Sequence, residues 1–172
     1  NLGALGDGGA LVTSFPDTAE QVRMIANYGS VVKYEHQVLG RNSRLDPLQA
    51  AILSTKLDHL DAGNSRRAQL ALRYFMGLAT VRGVELPAVR AWADPVWHVF
   101  AVRVPGRRDE LQTFLAEAGV GTNIHYPTPI HLQPCYEGRW RKGQFPAAEA
   151  LGESLLSLPL DPTHTDREID FV

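Results

Sequence analysis

Residues 47–79 constrain the fold more than any other stretch. Asp46-Pro47-Leu48-Gln49 reads as a helix start. The aspartate can cap, the proline suits a first turn, and the glutamine completes a capping box. Helical patterning then continues to about Ala79, with Leu48, Ala51, Ile52, Leu57 and Leu60 expected inward. At 1.5 Å per residue such a helix covers roughly 50 Å, enough to leave one domain and enter another. Gly63 is the expected point of bending or splitting. The predicted organisation has residues 1–46 belonging to one domain and 47–79 forming a linking helix region. Residues 80–172 then make a small α+β domain.

The bulk numbers exclude several classes. With 172 residues, 44% hydrophobic and 21% charged, the chain can fill one medium domain, or a small domain plus part of another. A net charge of -2 gives no basic excess, so nothing points to nucleic acid or an anionic membrane surface. Uninterrupted apolar stretches are only a few residues long, and no transmembrane helix is expected. Cys135 is the lone cysteine, which fits a reducing cytoplasmic setting. The opening, Asn1-Leu2-Gly3-Ala4-Leu5-Gly6-Asp7-Gly8-Gly9, lacks an initiator methionine and reads as the interior of a longer chain.

Shorter signals fill in the elements. Ala10–Ser14 resembles a buried strand. Asp17 and Glu20 form a capping-box pattern for a helix that Gly29 should stop. Residues 30–44 form a polar loop carrying Lys33, Tyr34, His36, Asn42 and Arg44, and a loop of that length is more often functional than idle. Val96–Val104 is β-rich, with Trp97 expected in the core and His98 on the opposite face. Arg108–Ala118 is helical, Val120–Tyr126 a strand, and Pro127–Arg141 a loop. Pro146–Leu156 is helical, and Thr165 with Glu168 starts a last helix. Arg66, Arg67 and Arg73 read most simply as a solvated face.

The tempting chemistry is in the loops. The opening glycines lack the spacing of a phosphate cradle and precede a strand pattern instead of following one. His125, His131 and Cys135 contain zinc-ligand chemistry, but the histidines lie in a proline-broken loop without a suitably spaced fourth ligand. A Cys135–His131 nucleophile pair lacks an orienting third group. A pocket wall of imidazole and phenol donors is the favoured reading, with a plain ordered loop as the alternative. From the residues alone, the chain is a soluble α+β piece with three suspicious loops.

Those loops, taken in order, resemble one family. Asn1-Leu2-Gly3-Ala4-x-Gly6-Asp7-Gly8-Gly9-Ala10 is similar to the stretch after the cofactor lysine in sugar aminotransferases of the DegT/DnrJ/EryC1/StrS family. Tyr28-Gly29-Ser30-x-x-Lys33-Tyr34 and Gly40-x-Asn42-Ser43-Arg44-Leu45-Asp46-x-x-Gln49 resemble its middle. Trp97-His98, Arg108-Asp109-Glu110-Leu111, His125-Tyr126-Pro127-x-Pro129-x-His131 and Ser157-Leu158-Pro159-Leu160 resemble its end.

The resemblance implies a fold class of α/β and α+β: the C-terminal part of a fold-type I aminotransferase dependent on pyridoxal 5'-phosphate (PLP). It implies a homodimer with shared active sites, an amino donor such as glutamate, and a nucleotide-linked keto-deoxysugar, with a lean to dTDP-linked 3-keto sugars. The family's catalytic lysine would stand immediately before Asn1, and Lys33, Lys56 and Lys142 do not match it. Asn42 matches the asparagine that reaches the cofactor phosphate of the other subunit. Lys33, Tyr34 and His36 fall where substrate is bound, and His125, Tyr126 and His131 fall on the loop that closes the pocket. A non-catalytic dimerisation module and a PLP-dependent sugar dehydratase stay open as alternatives.

Overall fold

The computed structural model describes residues 1–172. It divides at the Leu60/Asp61 junction into a unit of Leu2–Leu60 and a unit of Asp61–Val172 that also includes Asn1.

The first unit carries helix α1 (Pro16–Ala26) and helix α2 (Pro47–Leu57). Proline opens each helix, and neither has a side-chain cap. The two boxes expected at Asp17/Glu20 and Asp46/Gln49 are therefore absent. Gln49 has another partner: its Oε1 accepts the Leu5 amide at 2.9 Å. Lys56 donates to the Gly3 carbonyl. The glycine-rich opening is thus fastened along α2. Ala10–Ser14 is not a strand. No strand pairs with it, and Val12 is 93% exposed, so nothing rewards an extended conformation there. Neither helix of this unit contains a buried residue.

The expected long helix is broken after α2. His59 N–H pairs with the Lys56 carbonyl three residues back, a tight turn that ends the α-helical ladder. Helix α3 (Leu60–Leu78) follows, and Gly63 lies inside it, not at a bend.

The second unit is built on α3. One face of that helix buries Leu70, Ala71 and Tyr74 against strands β1 (Phe100–Arg103) and β2 (Leu155–Leu158). The strands pair antiparallel, Phe100 opposite Leu158 and Val102 opposite Leu156. These inward side chains form the core with Val104, Leu115, Val120 and Ile169. Burying Phe100, Leu70, Leu156 and Val102 completely stabilises the fold by about 1.5–3 kcal/mol each. The Tyr74 ring stacks on Phe100 at 4.9 Å, and its hydroxyl donates to the Pro159 carbonyl at 2.8 Å. Burial pushes that phenol well above its ordinary pKa.

Helix α4 (Arg108–Glu117), helix α5 (Pro146–Ser154) and helix α6 (Asp166–Phe171) complete the unit. The Thr165/Glu168 capping box of α6 is present as expected. Other boundaries move. The 96–104 strand shrinks to Phe100–Arg103, because Trp97 takes φ +46 and breaks the extended run. Leu155 and Leu156, expected at the end of α5, open β2. Of the 120–126 strand only Asn123 pairs, with Ser157.

Arg67 overturns the solvated-face reading. It is 8% exposed and donates to the Leu160 carbonyl at 2.7 Å and to Asp161 Oδ2 at 3.1 Å. It also lies 3.4 Å and 3.5 Å from the Trp97 and His98 carbonyls. Arg66 and Arg73 pair at the surface with Asp166 and, for Arg73, Asp170 as well.

Candidate functional site

The polar loop of the first unit is a closed ring. Its base is held by the Asn27–Asn42 bridge, with Tyr28 N–H donating to Arg41 O at 2.9 Å and Ser43 N–H to Ala26 O at 2.9 Å. Its tip is held by a Ser30–His36 bridge. The ring closes only because Gly29 and Gly40 meet without side chains. A Cβ at Gly29 (φ +76) would sit 1.7 Å from the Val38 carbonyl oxygen, and one at Gly40 would sit 2.0 Å from the Gly29 nitrogen.

The ring presents the predicted residues outward. Tyr34, at φ +73, is 82% exposed, and the Lys33 ammonium lies 4.9 Å above its ring. His36 Nδ1 bonds the Tyr28 carbonyl at 2.9 Å, so that nitrogen carries the proton and Nε2 faces outward. Asn42 Oδ1 accepts from Arg44 Nε at 3.2 Å, which leaves its NH2 group as a free donor beside a guanidinium. Arg44 also reaches Asn27 Oδ1 at 3.4 Å and lies 5.5 Å over the Tyr28 ring. A charge-neutral amide donor backed by a fixed cation suits a phosphate. These residues fit the phosphate end of PLP.

The second unit holds the other predicted group. His125 Nδ1 and Ser157 Oγ are 2.9 Å apart, and the exposed Tyr126 ring lies edge-on to His125 at 5.3 Å across a cis peptide bond. His131 is buried. Its Nε2 pairs with Glu149 Oε1 at 2.9 Å, and its ring packs on Phe145 at 4.7 Å. Glu149 also accepts the Gly143 amide at 2.8 and 2.9 Å and the Phe145 amide at 3.4 Å. Burial pushes this carboxyl up, but the bonds from His131, Gly143 and Phe145 outweigh it and hold the pKa below its usual value. The pair therefore pins the loop after the prolines. An apolar cleft of about 550 Å³ opens beside it, walled by Tyr126, Tyr136, Trp140 and Phe145. Cys135 is exposed and free, and no three metal-ligand side chains converge.

Sequence reasoning missed one group. Asn1 donates to the Val96 carbonyl at 2.8 Å and to Asn64 Oδ1 at 2.7 Å, while its own Oδ1 lies 2.9 Å from His98 Nδ1. No local signal links these residues, because Asn1 is 95 and 97 positions away from Val96 and His98 in the chain.

All 172 residues match the DegT/DnrJ/EryC1/StrS aminotransferase family. The chain belongs to that family. Among its relatives is the erythromycin biosynthesis sensory transduction protein EryC1 of Saccharopolyspora erythraea, 53% identical over 169 residues. That match covers 98% of this chain and 46% of EryC1. Another is the dTDP-3-amino-3,4,6-trideoxy-alpha-D-glucose transaminase of Streptomyces venezuelae, 50% identical over 168 residues and covering 97% and 44%. The crystal structure of S. venezuelae DesV, solved in complex with a ketimine intermediate, superposes with a TM-score of 0.94 at 48% identity. It covers 98% of this chain and 47% of that one. NtdA from Bacillus subtilis, solved with bound cofactor PMP, gives 0.83 at 30% identity, covering 92% and 39%. The chain thus spans a little under half the length of these DegT/DnrJ/EryC1/StrS relatives. Its mixed helix and strand architecture is that of the corresponding part of these aminotransferases. No helix in it is long and apolar enough to cross a membrane.

Proposed function

We propose that this chain is part of a PLP-dependent aminotransferase that moves an amino group from glutamate to the keto carbon of a nucleotide-linked deoxysugar. The observation that carries the reading is the match, over 97% of this chain, to a dTDP-amino-sugar transaminase at 50% identity. When bound, PLP supplies the electron sink for the transfer.

The residues of this chain bind and orient. Asn42 donates its amide to the cofactor phosphate held by the other subunit of a homodimer, with Arg44 fixing that amide. Lys33 meets the diphosphate of the sugar nucleotide as a point charge, and Tyr34 and His36 line the same site. His125 and Tyr126 contact the sugar, while His131 holds the closing loop through Glu149. The lysine that receives the cofactor is expected just before Asn1. The reading places the protein in the cytoplasm, where its single free thiol stays reduced.

The test uses protein expressed from its complete reading frame, given L-glutamate and a dTDP-linked 3-keto-6-deoxysugar. Formation of 2-oxoglutarate and the 3-amino sugar in equal amounts is expected. Loss of water from the sugar without net amine transfer would instead favour the dehydratase reading. PLP binding with no turnover of either kind would favour a non-catalytic module. Asn42→Asp places a carboxylate against the phosphate, and PLP affinity should fall at least about tenfold.

A further inference from the structure

We propose that His98 is a ligand-recognition residue whose tautomer is set by Asn1, so that its Nε2 accepts a hydrogen bond from a hydroxyl of the bound sugar. The inference rests on the nucleotide-sugar reading above and adds a specificity residue to it.

Atoms with only one hydrogen-bonding role fix the tautomer. The Val96 carbonyl can only accept, so the Asn1 atom 2.8 Å from it is the amide nitrogen. That nitrogen also faces Asn64 Oδ1 at 2.7 Å. The remaining Asn1 atom, Oδ1, is an acceptor, and it lies 2.9 Å from His98 Nδ1. His98 Nδ1 therefore carries a proton, and in the neutral ring Nε2 is a bare lone pair. No group of the chain bonds that nitrogen, as the only ring partner of His98 is Asn1.

The setting is built, not accidental. Asn64 projects from α3, and Arg67, one turn on, holds the backbone around His98 from beneath. Trp97 is locked between Phe75 at 5.5 Å and Phe100 at 5.4 Å, and its left-handed φ turns His98 out of the strand. His98 and His125 line the same small cavity of about 260 Å³, together with Thr122, Asn123 and Ser157. No lysine or arginine lines it. A carboxylate or phosphate would find no fixed cation there. A neutral polyhydroxylated group finds hydroxyl, amide and imidazole partners. His125 differs from His98 in one respect: a serine hydroxyl can donate or accept, so Ser157 leaves the His125 tautomer open.

The experiment uses the complete protein carrying PLP and ¹⁵N-labelled histidine. Long-range proton–nitrogen spectra above the imidazole titration should show His98 as the Nδ1–H form. Asn1→Ala should return it to the Nε2–H form that free imidazole side chains favour. Titration with dTDP-glucose should move the His98 Nε2 resonance, and dTDP alone should not. His98→Phe should weaken dTDP-glucose binding about tenfold, and His98→Gln, whose amide oxygen replaces Nε2 as acceptor, should recover most of that loss. An Nε2–H tautomer in the unliganded protein overturns the proposal whatever binds. Binding of dTDP-glucose with His98 unmoved and His98→Phe unchanged also overturns it, yet leaves the sugar-nucleotide reading standing. Failure of both dTDP and dTDP-glucose to bind defeats that reading, and this inference with it.

Discussion

Two side chains show how much a single residue decides. Arg67 is a buried cation whose nitrogens are spent on the Leu160 carbonyl, the Asp161 carboxylate and the backbone around Trp97 and His98. Removing it leaves those acceptors short of donors and opens a gap in α3. Arg67→Ala should cost about 2–4 kcal/mol in urea unfolding, more than Arg73→Ala, whose carboxylate partners are solvated. Near-equal losses would mean that the Arg67 contacts add nothing beyond a surface pair.

Glu149 makes a pH-dependent case. Burial raises its folded pKa, but hydrogen bonds from His131, Gly143 and Phe145 outweigh burial and hold it below the ordinary value of 4.5. A carboxyl depressed by folding contributes stability that is complete above the unfolded pKa and disappears as pH falls through the folded one. Acidification through and below the ordinary carboxyl range should therefore release the loop around Gly143. The Gly143 amide shift reports this directly, because that N–H donates to both carboxylate oxygens. In Glu149→Gln the same shift should stay flat across that range.

At the scale of elements, the ring from Asn27 to Asn42 depends on glycine twice. Gly29→Ala or Gly40→Ala drives a methyl group into backbone at 1.7 or 2.0 Å, and Gly29 adds a left-handed φ. Each should cost more than about 2 kcal/mol locally and loosen Asn42. With Asn42 in its proposed role at the cofactor phosphate, the expected outcome is weaker PLP binding of the complete protein in both variants, with unchanged core amide protection around Phe100 and Leu156. Sequence reading found this loop and the residues it displays, because a run of polar side chains between two helical patterns leaves few other interpretations. It could not find the closure, which comes from backbone pairs such as Gln37 N–H on Gly29 O. Helices α4 to α6 were legible from their apolar spacing and the Thr165 box, whereas α3 reads in sequence as the continuation of α2 because the turn at 58–59 carries no breaker residue. Strand limits were not legible. Val96–Val104 has uniform β-propensity, and the left-handed Trp97 that shortens it is a product of aromatic packing with Phe75 and Phe100. Likewise, Arg67 looks the same as Arg66 and Arg73 in sequence. Only the path of residues 97–98 and 160–161 around it makes it interior.

The whole molecule is two units of unlike character. Asp61–Val172 owns every residue of the buried core, from Leu70 to Ile169. Leu2–Leu60 has helices without a buried residue and exposes Leu5, Leu11, Phe15, Leu39 and Leu48. Since burial of apolar area is the main source of stability, the two units should not share one unfolding free energy. For the 172-residue chain, hydrogen exchange should show amides of β1, β2 and the middle of α3 protected to the level of global unfolding. Amides of α1 and α2 should exchange at least about a hundredfold faster, which corresponds to roughly 2.7 kcal/mol less protection. In protein made from the complete reading frame, the α1 and α2 amides should slow toward the core values, because relatives of about twice this length have more chain with which to cover those side chains. Equal protection of both units in the short chain would show that the ring and its helices are stable without further burial.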